Sequence, residues 1–216
     1  MLHDILKSGH IWQGQQQAST RQPVLDTGFP LLNQHLPNHG WPQDGITEVI
    51  HSEAGMGELS LLLPALSHAS ERAYICLLSP PHELYQPTLT QHLNMQHTLV
   101  LQPKQTDVQW TAEQALRSGA CHALVFWPHK TLNFTAYRRL QILCLEQKVP
   151  GFLFMRTAHA NSPCRVRISI QRQSHHSLNV NVLKASGHVT QPRFTLPLTS
   201  HGYLRYPAAS SSTPVQ

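Results

Sequence analysis

Ile46-Thr47-Glu48-Val49-Ile50-His51-Ser52-Glu53-Ala54-Gly55-Met56-Gly57-Glu58-Leu59-Ser60 runs from a strand-like stretch, through a loop carrying two glycines, into a leucine-rich segment. That is the context of a phosphate-cradling loop, whose working form reads G-x-x-x-x-G-K-[ST]. Its backbone N–H groups wrap the phosphates, its lysine reaches the terminal ones and its hydroxyl holds magnesium. Here Ser52 stands at the first glycine, Gly57 matches the second, Glu58 replaces the lysine and Leu59 replaces the hydroxyl residue. A carboxylate aimed at a triphosphate repels it, and leucine cannot ligate a hydrated cation. The loop keeps its place and loses its chemistry.

Outward from this loop, apolar runs of strand length alternate with helical segments. Strands are expected at 46–50, 73–78, 98–101, 123–126 and 151–155, with helices near 58–69, 86–95, 110–119 and 134–147. Near-continuous apolar strands separated by helices predict a mostly parallel sheet covered on both faces. The pattern then changes. Arg165-Val166-Arg167-Ile168-Ser169-Ile170-Gln171 alternates strictly, Ser177 to Val182 nearly so, and Arg193-Phe194-Thr195-Leu196 comes after them. Alternation predicts antiparallel strands with one wet face, carrying Arg165 and Arg167 side by side.

A second requirement of nucleotide chemistry fails in Ala123-Leu124-Val125-Phe126-Trp127-Pro128, where Trp127 stands at the strand end that should carry a magnesium-holding acid. Trp127 is expected to fill the space a nucleotide would take, leaving the old cleft as core. On helix 110–119, Glu113 and Arg117 are spaced as an i,i+4 pair and Gly119 is placed to end the helix.

All eleven acids lie at or before Glu146, whereas Lys148, Arg156, Arg165, Arg167, Arg172, Lys184, Arg193 and Arg205 lie beyond it. The last third therefore carries +8 and the rest −3, which gives the net +5. Such asymmetry points to a polyanion or an acidic protein surface as partner. Arg165, Arg167, Arg172 and Lys184 are the candidate contacts for DNA or an acidic partner.

Residues 1–22 read as a helical arm and linker, with Leu2, Ile5, Leu6 and Trp12 able to share one side. Residues 23–206 form the expected domain, and 207–216 lack core-forming content and are expected to be disordered. Cys76, Cys121, Cys144 and Cys164 form no Cys-x-x-Cys pair and read as reduced core residues. The pairs His35/His39 and His175/His176 lack neighbouring ligands, so no metal is expected. The N-terminus lacks the apolar run of a signal peptide, and no apolar run is long enough to span a membrane, so a cytoplasmic protein without a membrane segment is expected.

The segments around the loop carry a family likeness. Val24-Leu25-Asp26-Thr27-Gly28-Phe29-Pro30-Leu31-Leu32-Asn33, Gly40-Trp41-Pro42 and Gly45 to Val49 resemble the entry to the RecA-type recombinase core, and Pro81 sits where that family carries a catalytic glutamate. Within that superfamily, Leu61-Leu62-Leu63-Pro64-Ala65-Leu66, Pro80-Pro81-His82, Trp110 to Cys121, Arg138-Arg139-Leu140-Gln141 and Val182-Leu183-Lys184 resemble the ImuA family of translesion-synthesis proteins. The division inhibitor SulA is a shorter relative, similar through the leucine-rich helix, Arg117-Ser118-Gly119 and Gly151 to Arg156.

The resemblance implies a RecA-like P-loop NTPase-type core with degenerate Walker motifs, no catalytic residue and no cofactor. It implies an adaptor of SOS-induced lesion bypass. Expected partners are an ImuB-type polymerase-like protein, the alpha-subunit of an error-prone DNA polymerase and, as further candidates, RecA and DNA. The N-terminal Leu2, Ile5, Leu6 and Trp12 would make the protein contact. The alternative is a SulA-type inhibitor that binds the division GTPase FtsZ.

Overall fold

The computed structural model describes residues 23–52, 58–69, 73–84, 86–158, 161–174, 177–185 and 191–197. The 1–22 arm with Leu2, Ile5, Leu6 and Trp12, the 207–216 tail and Gly57 lie outside the described residues.

Ten strands occur among the described residues: β1 (Val24–Leu25), β2 (Trp41–Pro42), β3 (Gly45–His51), β4 (Tyr74–Leu78), β5 (Thr98–Leu101), β6 (Cys121–Phe126), β7 (Pro150–Met155), β8 (Val166–Ser174), β9 (Ser177–Ala185) and β10 (Arg193–Pro197). Strands β1 and β2 pair by themselves. The other eight form one sheet in the order β10-β9-β8-β3-β7-β6-β4-β5. From β8 to β5 every pairing is parallel. At the other edge β8, β9 and β10 are joined antiparallel, as the alternating sequence predicts. The chain is thus α/β, with a mostly parallel sheet, flanking helices and antiparallel strands at its C-terminal side.

The helices are α1 (Pro30–His35), α2 (Leu63–Ala69), α3 (Gln86–His92), α4 (Val108–Arg117) and α5 (Phe134–Gln147). Helix α5 starts at Asn133, whose side chain accepts from Ala136 N at 2.8 Å, and ends at Lys148 in the left-handed region. Ala136, Tyr137, Leu140, Leu143 and Cys144 form its buried face, the i, i+4, i+7 spacing of an amphipathic helix. Helix α4 ends at Gly119 with φ +70, as expected, but Glu113 accepts from Gln109 at 3.0 Å rather than pairing with Arg117. The expected helix over 58–69 is split into a 3₁₀ turn, Leu59–Leu61, and α2. Pro64 explains the break, since it has no N–H to donate and its ring would strike the carbonyl of Ser60 in a continuous helix.

Each strand sends alternate side chains to opposite faces. Val49, Ile75, Leu77, Ala123, Val125, Phe152 and Phe154 join Leu61, Leu62, Leu66 and Leu89 in one core, with fully buried Trp41 edge-on to Phe152 at 5.8 Å. Ile46, Cys76, Leu78, Leu124, Phe126 and Leu153 join Ala112, Leu116, Leu140 and Leu143 in the other. Helices α2 and α3 therefore cover one face, and α4 and α5 cover the second. All four cysteines are buried and unpaired. No described helix is long and apolar enough to cross a membrane.

Candidate functional site

Strand β3 delivers the chain to the degenerate loop at His51, which is buried and sits edge-on to Phe154 at 6.1 Å. Beyond the loop, Glu58 is 5% exposed and precedes the 3₁₀ turn, with Leu59 half-buried inside it. The positions that would reach a phosphate and hold magnesium are thus turned toward the interior. Leu59–Leu61 forms a single 3₁₀ turn that leads into α2.

Trp127 lies at the end of β6, where the sequence pattern predicts it, and is buried. Its role differs from the expectation. It stacks on Phe154 with ring centroids 5.0 Å apart and planes at 19°, and so belongs to the core under α2 and α3. A cavity of about 340 Å³ remains open beside it, walled by His51, Trp127, His129, Lys130, Phe154 and Arg156. Among the described residues, then, Trp127 does not fill this end of the sheet, in contrast to the expectation that the old cleft is core. The reason is geometric: alternation along β6 directs Trp127 sideways onto its neighbour in β7, not upward over the strand ends.

The expected basic surface also takes a different form. Arg165 pairs with Asp44 at 3.2 Å, and Arg167 Nε donates to Glu48 Oε2. Glu48 is fully buried, and the Arg167 side chain is only 13% exposed. Burial alone would lower the Arg167 pKa, but its hydrogen bond to Glu48 and the charge of that carboxylate outweigh this and raise it. Arg167 also donates to Ser162 Oγ at 2.6 Å, and Lys184 Nζ donates to the Ser162 carbonyl at 3.0 Å. The Cys164 thiol donates to Glu48 at 3.4 Å. Burial, and then the Glu48 charge, push the Tyr137 phenol and the Cys164 thiol up. The Tyr137 hydroxyl stands by Glu48 without a hydrogen bond of good geometry.

The basic face expected from alternation is thus partly neutralised: Arg167 is held by the buried Glu48 and Arg165 by the half-buried Asp44, while Lys184 stays exposed. The last third of the chain holds no acid, yet the partners arrive from β3 and the residue preceding it. Arg167 and Lys184 are brought together at Ser162. Arg172 is not, because its even position places it on the opposite side of β8, against Leu178, with its Nε unpartnered.

His51, His129, Lys130 and Arg156 were not singled out from the sequence. The signal was present: each lies within four residues after an apolar strand run, and parallel sheets bind ligands at the carboxyl ends of their strands. No protein-family model matches the chain, and no curated protein matches it either.

Proposed function

We propose that this chain is a non-enzymatic adaptor of SOS-induced translesion DNA synthesis, built on a RecA-like core that neither binds nor hydrolyses ATP at its phosphate loop. The observation that carries this reading is the fate of that loop. It keeps the strand-loop-helix setting of a nucleotide site at the end of β3, while the buried Glu58 and the half-buried Leu59 occupy the lysine and hydroxyl positions. A mostly parallel sheet with an antiparallel C-terminal side is compatible with a RecA-like core. The resemblance to the ImuA family supplies the pathway. Partners in this reading are an ImuB-type polymerase-like protein, an error-prone DNA polymerase alpha-subunit and RecA, with Leu2, Ile5, Leu6 and Trp12 as the arm that docks.

The test is genetic and biochemical. Deleting the gene should abolish damage-induced mutagenesis, the full chain should restore it, and tagged protein should co-purify with an ImuB-type polymerase-like protein. Magnesium-dependent ATP turnover should not exceed the blank. Unchanged mutagenesis after deletion would refute the adaptor reading. Filamentation on expression, without a mutagenesis defect, would favour the SulA-type alternative.

A further inference from the structure

The geometry points to a second use of the sheet's carboxyl end: the cavity between the loops after β6 and β7 binds a phosphomonoester dianion, of nucleoside-monophosphate size or smaller. The position comes first. From β3 the chain leaves over the face covered by α2, whereas from β6 it leaves through α5 on the other face. From β7 it reaches β8 past Cys164, in the α5-side core. Strands β3 and β7 are neighbours in the sheet, so the cavity above them lies where the winding reverses. Open parallel sheets hold their ligands at that place, because diverging loops leave a crevice there.

The chemistry of the walls sets the ligand class. Lys130 and Arg156 are exposed on the cavity rim with His129, and no described acid lines it. Among the described residues neither Lys130 nor Arg156 has an acidic partner, in contrast to Arg165 and Arg167, whose charges are neutralised by Asp44 and Glu48. A guanidinium fork and an ammonium group suit a compact dianion with several acceptor oxygens. A cavity of about 340 Å³ is at the small end of ligand pockets, which run from roughly 300 to 1,000 Å³. That favours a small phosphomonoester over a dinucleotide. Glu58 does not line this cavity, so the repulsion that bars a triphosphate from the degenerate loop need not act here.

Calorimetry on the full chain without added metal tests this, with inorganic phosphate, adenosine monophosphate and a short single-stranded oligonucleotide lacking a terminal phosphate. Saturable binding of the monophosphate is expected, with weaker binding of inorganic phosphate. Lys130→Ala and Arg156→Ala should each weaken it by about tenfold or more, the effect of losing one charge-assisted contact. Both residues are exposed, so their urea midpoints should stay at the wild-type value. Arg165→Ala should bind as wild type. No saturable heat up to about 10 mM monophosphate, a range weaker than any useful site, would overturn the assignment. So would equal affinity in the Lys130 and Arg156 variants, or binding confined to the oligonucleotide.

Discussion

Glu48 of β3 and Arg167 of β8 are register partners in the parallel pair, and the Arg167 Nε donates to the Glu48 carboxylate beneath α5. The pair joins positions 119 apart in the chain and anchors the β7 to β8 connection through Ser162 and Cys164. Removing one member leaves the other charge buried and uncompensated. Arg167→Ala or Glu48→Ala should therefore cost about 3–5 kcal/mol, whereas Glu48→Leu combined with Arg167→Met should recover most of it. Urea unfolding of the two singles and the double measures this. A single-variant cost under about 0.5 kcal/mol, the size of an ordinary surface change, would show that the pair is not a structural cross-link.

Gly28 offers a second test, at the entry to the domain. It has φ +79, and a Cβ built there would lie 2.4 Å from Pro64 Cβ on α2. Around it, Asp26 accepts from Gly28 N at 2.7 Å, and Thr27 Oγ1 accepts from Phe29 N at 3.0 Å, so the turn is fixed by its own side chains. Gly28→Ala should cost about 2–4 kcal/mol, from backbone strain and overpacking together. Measured against Pro64→Gly alone, which removes the Cβ and Cγ that a residue-28 Cβ would strike, the same change should lose the packing part and keep the strain of about 1 kcal/mol. Equal costs in both backgrounds would mean that the turn does not depend on the Pro64 contact.

The alkaline limit of stability is set by buried acids. Burial pushes the Cys144 thiol up to about 12 from its ordinary 9.0, with Asp44 adding to it, and burial raises the Tyr137 phenol above 10.0. Above about pH 9 the unfolded chain releases the Cys144 proton while the folded one retains it. Unfolding then releases protons, and stability falls as pH rises from 9 toward 12, with Tyr137 contributing above 10. On the acid side, burial lowers the His92 pKa below 6.5, so its small contribution is lost as pH falls through that region. Urea midpoints from pH 5 to 11 should show a plateau near neutrality. Tyr137→Phe should reduce the slope above pH 10, and a wild-type curve that stays flat to pH 11 would contradict the argument.

The sheet was legible where its residues speak locally. Thr98–Leu101 is a strand to the residue as expected, and α5 matches its expected span, because apolar runs and helical periodicity are short-range signals. Alternation identified Val166, Ile168 and Ile170 as core and the C-terminal strands as antiparallel. Partners in space were not legible. Asp44 and Arg165 are 121 positions apart, so a count of charge along the chain saw eight bases without an acid and missed the two that meet them through β3. The cavity escaped for the same reason, since its walls, with Pro81 after β4 among them, come from four strand ends that only the sheet order makes neighbours. The broken helix after the loop was within reach, because Pro64 stood in the sequence.

Restoring the motif at the loop should not restore a nucleotide site. Glu58→Lys with Leu59→Thr recreates the lysine and hydroxyl residues, but position 58 is 5% exposed and the chain continues as a 3₁₀ turn that Pro64 prevents from extending as one helix. A lysine there must bury its ammonium or displace the turn, and either outcome is destabilising by about 1–3 kcal/mol on the scale of an unsatisfied buried polar group. Trp127 still supplies no carboxylate for magnesium at the end of β6. Calorimetry with magnesium and ATP should detect no binding to the double variant, and its urea midpoint should fall below that of the wild type. Magnesium-dependent micromolar binding would show that only side-chain identity, and not the fold around the loop, had closed the site.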